Sequence, residues 1–385
     1  MDTAFRSLRE VKVATIRVLS PVHVGDGEKL TSLDYIYEGN RLCVYTFQSL
    51  LKAIEKSPKK NDLYKLLKVE VLRENASLKS VCENLQLKPE PLYSLEVRGQ
   101  LRTSQVETFI KNLHGPYLPG SEIKGALRLL FLCGVLDKES DLLEEFIKEA
   151  KAKIQEIGKL SNDKEKHKLF LKLQDWLESK VFYPEGIDRK RDLQGQAQNY
   201  DLFRCLEVSD SQPIGYENLV VECPQMVGSD EPLNPCEALK EGTEVKVTIS
   251  INTSLLQELE KLSKAFKIPY RYAKYMKLEH FKEFSKAFNS KLIDMEAEFF
   301  KRKGRQDIAK HLESIKAQVD KGILLRLGKH EGYLSTTIMA IIKKRNKELF
   351  DKIFMESQPT PRQETNKTRR INSQGKTFGW VLLEV

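Results

Sequence analysis

The sequence predicts an α+β fold, and three observations carry that reading. Residues 11–19 (VKVATIRVL) and 242–251 (GTEVKVTISI) alternate apolar and polar side chains, the signature of half-buried strands. A helical pattern opens at residue 121, where Ile123, Leu127 and Leu130 fall on one face at i, i+4 and i+7. The chain then closes on a further β-rich run, FGWVLLEV.

The remaining elements follow in chain order. The first strand ends at Pro21 in the loop SPVHVGDGE (20–28), and 33–47 reads as a hairpin turning at Glu38-Gly39-Asn40. Residues 48–88 are Leu/Lys/Glu-rich and helical, and 137–182 reads as a long, charged helical insertion on the surface. LFRCLEVSDSQP (202–213) is a strand running into a turn, and a helix begins at Ser254. GILLRLGKHEGYLSTT (322–337) reads as a strand and a glycine loop, with a helix continuing through 350, while 357–377 is polar and Pro-containing loop. Strand, helix, two strands, helix, strand is the order of a ferredoxin-like sheet with helical insertions. A doubly wound sheet requires strict alternation and is excluded.

The 385 residues suffice for a sizeable core, and 40% hydrophobic with 31% charged residues describes a globular chain. Net charge is +9, which favours polyanionic partners. The excess lies in the C-terminal third: 13 Lys/Arg face 5 Asp/Glu over 261–305, and 9 face 4 over 343–370. Six scattered cysteines include no C-x-x-C pair, so neither a zinc ribbon nor a disulfide scaffold is indicated. No signal-peptide core or membrane-length apolar run occurs, and the expected compartment is the cytoplasm.

Three short segments carry phosphate-binding chemistry. In GPYLPGSEIKGALRLLF (115–131), Pro119 and Gly120 stop any earlier helix and Ser121 is the expected N-cap. Lys124 and Arg128 then add positive charge where the helix dipole is already positive, which makes sense if an anion sits there. Solvated flanks of an amphipathic helix account for the same pattern. The loop at 328–332 sets Gly328 and Gly332 around Lys329 and His330, combining close backbone approach with charge. His23, with Gly25 behind it, sits in the third loop, and either histidine suits phosphate contact or acid–base work. No histidines share metal-ligand spacing, and no metal or cofactor is expected. SQGKT (373–377) mimics a P-loop end, but Arg370 stands where glycine is required and a strand follows. The tyrosines 270, 272 and 275 alternate with basic residues but continue into the apolar stripe Leu278, Phe281, Phe284, Phe288, which favours core packing.

Taken together, SPVHVGDGE, YLPGSEIKGALR, FRCLEVSDSQP and LRLGKHEGYLSTT resemble the RAMP superfamily of CRISPR effector proteins. Their order, with long helical insertions, is most similar to the end-capping subunit of type III-A (Csm) complexes. LPGSEIKGALR is the most specific part. The final loop departs from the glycine-rich family pattern by holding Lys329, His330 and Glu331 between its glycines. The resemblance implies an RRM/ferredoxin-like fold, with region 1–240 carrying helical insertions at about 48–88 and 137–182, and region 241–385 carrying the 328–332 loop. It implies guide-RNA contact through His23, Gly25, Gly120, Ser121, Lys124, Arg128, Gly328, Lys329, His330 and Gly332. It also implies partnership with a backbone RAMP subunit, a small helical subunit and, in guide maturation, cellular nucleases. Family backbone subunits cut RNA with an aspartate after the first strand; Asp34 is its nearest counterpart here, and as an ordinary turn residue it is expected not to act. The reading is therefore a non-catalytic subunit. A metal-independent endoribonuclease using His23 or His330 and a backbone subunit are the alternatives.

Overall fold

The computed structural model describes residues 9–62, 77–157, 163–186, 195–228, 231–266, 269–356 and 369–385. One sheet is antiparallel and five-stranded, in the order β14 (Ile323–Arg326), β16 (Trp380–Glu384), β1 (Glu10–Val18), β13 (Glu244–Ile251), β9 (Leu206–Val208). Helices α3 (Gly120–Lys138) and α7 (Leu278–Arg302) pack against it and each other. Four strands, β16-β1-β13-β9, stand in ferredoxin-like order, so the expected α+β class and its central sheet hold. Alternation decides the faces: Ala14, Ile16 and Val18 are buried, as are Val245, Val247, Ile249 and Ile251. On the other face Val11 and Val13 remain 56% and 69% exposed. The sheet also joins the two regions divided at residue 240, because β1 of the first pairs with β13 and β16 of the second.

The strand after the second helix is not the fourth ferredoxin strand. Helix α8 (Gln306–Lys316) folds back on α7 through the short turn at 303–305 and reverses the chain, so β14 runs antiparallel to the position beside β1 requires. The C-terminal strand β16 takes that position, pairing Thr15–Val18 on one side and Ile323–Arg326 on the other.

A seven-stranded mixed sheet escapes the sequence reading except for its hairpin. Its order is β2 (Gly25–Leu30), β6 (Val106–Phe109), β12 (Cys236–Leu239), β10 (Leu219–Glu222), β5 (Tyr93–Arg98), β4 (Arg41–Val44), β3 (Tyr35–Glu38). Both parallel pairs, β10–β5 and β12–β6, are one or two residues long, too short to leave a periodic trace. Small ribbons join β7 (Lys111–Asn112) to β8 (Gly115–Pro116) and β11 (Gln225–Met226) to β15 (Arg370–Ile371). As expected, no helix follows SQGKT; Asn372 Oδ1 accepts from Gln374 N and Lys376 N in a tight turn before β16.

Of the two insertions, α1 (Phe47–Glu55) and α2 (Leu78–Leu85) build a separate small cluster around Leu78, Val81, Cys82 and Leu85. The second is not a surface addition. From α4 (Ser140–Ile157), Leu142, Phe146 and Ala150 enter the main core, as do Leu173, Leu177 and Phe182 of α5 (Asp163–Phe182). Covered by these helices, α3 is buried on both faces past Leu130. The remaining helices are α6 (Thr253–Phe266), α9 (Met339–Arg345) and α10 (Lys347–Glu356); the last two divide the expected helix at Asn346, whose side chain caps Leu349 N at 2.9 Å. Tyr270, Tyr272 and Tyr275 are buried, in agreement with core packing. Among the described residues no helix is long and apolar enough to cross a membrane.

Phe131 of α3 is the hub of the core. Its ring centroid lies 5.9, 5.6, 5.7 and 6.0 Å from those of Phe182, Phe203, Phe281 and Phe284. One turn on, a Cβ at Gly134 would stand 2.1 Å from the Phe284 ring, so α3 and α7 meet where there is no side chain. Phe131→Ala is expected to cost about 3–5 kcal/mol and Gly134→Ala about 1–3 kcal/mol, read as shifts of the denaturant midpoint at constant slope.

Candidate nucleic-acid interface

The three candidate segments converge. After β1 the chain turns at Pro21 and buries His23, 1% exposed, under the second sheet. His23 Nδ1 lies 2.6 Å from the Glu237 carbonyl, and because a carbonyl only accepts, that nitrogen carries the hydrogen. The His23 carbonyl in turn accepts from Lys329 N at 2.8 Å. Gly328 sits against this junction with φ +85°, and a Cβ there would lie 2.1 Å from the same carbonyl. Only glycine satisfies both demands. Gly328 N donates to Glu122 Oε1 at 2.9 Å, tying the loop to the first turn of α3.

Charge balances the clamp. Glu107 of β6 receives Lys329 Nζ at 2.6 and 2.8 Å and lies 3.6 Å from His23 Nε2. The His23 ring and then the Lys329 ammonium overcome burial and hold the Glu107 carboxyl down to about 2. Glu237 is fully buried, bonded to Tyr93 Oη at 2.6 Å, Phe109 N at 2.8 Å and Lys111. His330, with φ +75° and 9% exposure, stacks 6.3 Å from His23, and neither of its ring nitrogens meets a partner among the described residues. Burial and the neighbouring His23 lower it to about 3, so it is neutral. Both histidines thus hold the two loops together from inside, while the Lys329 side chain is the exposed part of the clamp. Gly25 starts β2 directly beyond His23, and Gly332 ends the loop.

At α3 the expectation for Ser121 is corrected. The helix begins one residue earlier, Pro119 holds the N-cap position without a side-chain bond, and Ser121 is an exposed second residue. Asp210, from the turn after β9, accepts Gly120 N at 2.8 Å and so supplies the anion expected at this helix end. Gly120 allows it: a Cβ would stand 2.2 Å from the Val208 carbonyl.

Lys124 and Arg128 part ways. Arg128 is no simple flank: Nη1 bonds Asp201 at 2.9 and 3.0 Å, Nη2 lies 3.5 Å from Glu178, and the guanidinium lies 3.6 Å from the Phe182 ring centroid. Lys124 is half-buried, has no ion-pair partner among the described residues, and is pulled below the usual lysine range by burial. It lines an open depression of about 470 Å³ with Arg128, Tyr183, Gln198, Phe203, exposed Arg204, and Asp201, whose carboxylate is engaged by Arg128. A half-buried ammonium beside an open depression that three basic side chains line is chemically a seat for a phosphate oxygen. The partners Glu107, Asp201, Asp210, Glu237 and Arg204 carry no sequence signal, because their roles exist only once distant segments meet. Asp34 accepts Thr31 N and Oγ1 at 2.7 Å, the expected turn chemistry. Among the described residues no three His, Cys, Asp or Glu side chains are grouped to hold a metal ion.

Buried acids make stability pH-dependent. Glu331 is pushed up to about 8 and Glu222 to about 7, in both cases chiefly by burial. Each folded value lies above the ordinary 4.5, so the folded state keeps a proton the unfolded chain loses, and stability falls as pH rises from about 4.5 toward 8. Glu107 acts oppositely: its contribution is present above 4.5 and is lost as pH falls toward 2. Glu331→Gln is therefore expected to gain in melting temperature over wild type between pH 5 and 8, by several degrees, with no relative gain below about pH 4.5.

Comparison with known proteins identifies the family. The chain matches the RAMP superfamily over residues 15–308. The protein named CRISPR system Cms protein Csm5 of Methanocaldococcus jannaschii is 22% identical over 340 residues, covering 86% of this chain and 73% of the relative. Its namesake from Streptococcus thermophilus is 23% identical over 282 residues, covering 67% and 70%. Two solved structures share the fold, each at 24% identity over 96% of this chain and 99% of theirs: T. onnurineus Csm5 with a TM-score of 0.68, and a chain of a Csm-crRNA-target RNA ternary complex of a type III-A CRISPR-Cas system with 0.70. With the family matched over most of its length and the central sheet in ferredoxin-like order, the chain belongs to the RAMP superfamily.

Proposed function

We propose that this chain is a guide-RNA-binding, non-catalytic subunit of a type III-A Csm complex. In that assembly it caps the end that holds the 3′ portion of the guide and supports guide maturation, alongside a backbone RAMP subunit and a small helical subunit. The observation that carries the reading is the convergence of the 20–25 loop, the 328–332 loop and the start of α3 beside the Lys124 depression. The relatives named Csm5 and the neighbour from a Csm-crRNA complex supply the class of partner.

Contact is backbone-directed in this reading. Lys124, Arg204 and exposed Lys329 supply phosphate charge, and Ser121 and Gly332 supply accessible backbone, while Gly120 and Gly328, their N–H groups taken by Asp210 and Glu122, set the positions of the helix start and the loop. His23, His330 and Arg128 act by shaping the surface, since each is enclosed or paired, while Gly25 is exposed backbone at the start of β2. The same enclosure speaks against acid–base work, because the His23 ring is turned onto Glu237 and Glu107.

Lys124→Ala with Arg204→Ala is expected to weaken binding of a labelled single-stranded RNA and to flatten log K against log[salt] by about 0.7 per lost contact, with melting unchanged. Arg128→Ala instead lowers stability by about 1–3 kcal/mol, through the lost ion pairs and the ring contact. A salt-indifferent affinity of the wild type would overturn the reading. Purified, the chain is expected to leave a CRISPR-repeat RNA intact with or without Mg²⁺, and its omission from a reconstituted complex to broaden the guide 3′ ends. Cleavage abolished by His23→Ala would instead assign an endoribonuclease.

A further inference from the structure

A second cleft of about 330 Å³ opens on the other side of Arg128, between α3, α5 and the segment 326–336. Its size lies at the low end of small-molecule pockets, about 300–1,000 Å³. Gly125, Arg128, Glu178, Glu331 and Thr336 line it together with Glu122.

Three carboxyls, those of Glu122, Glu178 and Glu331, and two guanidinium groups, those of Arg128 and Arg326, border it. Two of the three carboxyls are committed: Glu122 to Gly328 N at 2.9 Å, and Glu178 to Gln174 at 3.1 Å and Arg128 at 3.5 Å. Glu331 is different. It is 8% exposed and borders the cleft, yet among the described residues its carboxyl oxygens have no hydrogen-bond donor. Arg326, the cation nearest in charge, is taken by Glu296 at 2.9 Å and Ser335 at 2.6 Å. A nearly buried carboxyl that no protein donor occupies is open to a ligand that brings N–H groups. The described acidic groups are not arranged to share a metal ion.

We propose that this cleft takes one splayed nucleobase bearing an exocyclic amino group, which Glu331 reads through its N–H donors. The proposal rests on the RNA-binding reading above. Arg128 lines both this cleft and the Lys124 depression, so the two are neighbours along the surface a bound strand would follow. The Arg128 guanidinium, backed by the Phe182 ring, is a flat surface on which a base stacks. Glu331 faces Glu122 from α3, Glu296 from α7 and Arg326 from β14. Burial and the two acids push it up, so above about pH 8 the Glu331 carboxyl accepts without donating.

The test compares oligocytidylate with oligouridylate of equal length, bound by the full chain at about pH 8.5, where Glu331 is largely ionised. The two RNAs share charge and size and differ in the amino group against a carbonyl on the Watson–Crick edge. Wild type is expected to prefer oligocytidylate about tenfold, and Glu331→Ala to remove the preference. Gly125→Phe gives an independent check: nothing lies within 4 Å of a Cβ at this helical glycine, so the ring fills the cleft without disturbing the core. It is expected to remove the preference as well, and it decides the matter if Glu331→Ala does not fold. A wild-type difference below about twofold overturns the base pocket alone, as does a preference that survives in both folded variants. Failure of wild type to bind either RNA overturns the underlying function too.

Discussion

The seating of α3 is the constraint on which the rest of the structure depends. Its N-terminal turn lies against the β9 backbone at Gly120 and its middle lies against the Phe284 ring at Gly134, and neither position has room for a Cβ. Between them Phe131 packs on four aromatic rings drawn from α5, α7 and the 202–205 turn. Core packing at this density admits few alternatives, so the helix has one depth and one rotation. That rotation presents Lys124 and Gly125 outward and puts Glu122 within reach of Gly328.

The two loops beside it are held mainly by backbone. A carbonyl at His23 and amides at Gly328 and Lys329 make the junction, while the buried imidazoles fill the space behind it. His330 keeps a left-handed backbone that costs a non-glycine residue about 1–3 kcal/mol, and its buried ring nitrogens add to that cost. Offsetting contributions come from the Lys329–Glu107 ion pair and from the ring contact with Phe378. Glu331, the next residue, is carried by this strained turn to the edge of the cleft.

Electrostatics at the interface come from neighbourhood rather than from overall charge. The basic run of 261–305 is largely consumed locally: Lys286 pairs with Asp320, Lys301 with Glu313, and Lys291 with Asp137. Such exposed pairs contribute little to stability, but they neutralise the surface they occupy. Lys124 stands out through its half-burial beside an open depression, a property that no count of charges along the chain reveals.

Periodicity alone determined the strands β1 and β13, the hairpin of β3 and β4 and the start of α3, because each has one face in the core and one outside, whereas the closing strand β16, buried on both faces, was marked by its run of β-forming residues. Residue types alone marked His23, the Gly328–Gly332 loop and Lys124 as belonging to one kind of chemistry. Tertiary structure decided what each of them does. The second sheet, paired through contacts one or two residues long, supplied Glu107 and Glu237, and so turned the histidines inward. The reversal at α8 placed β16 rather than β14 beside β1, and the apolar stripes of α4 and α5 met α3 and became core. Capping by Asp210 and pairing of Arg128 with Asp201 link residues 90 and 73 positions apart. A chain encodes its local periods in neighbouring residues, whereas partners that distant are chosen by packing.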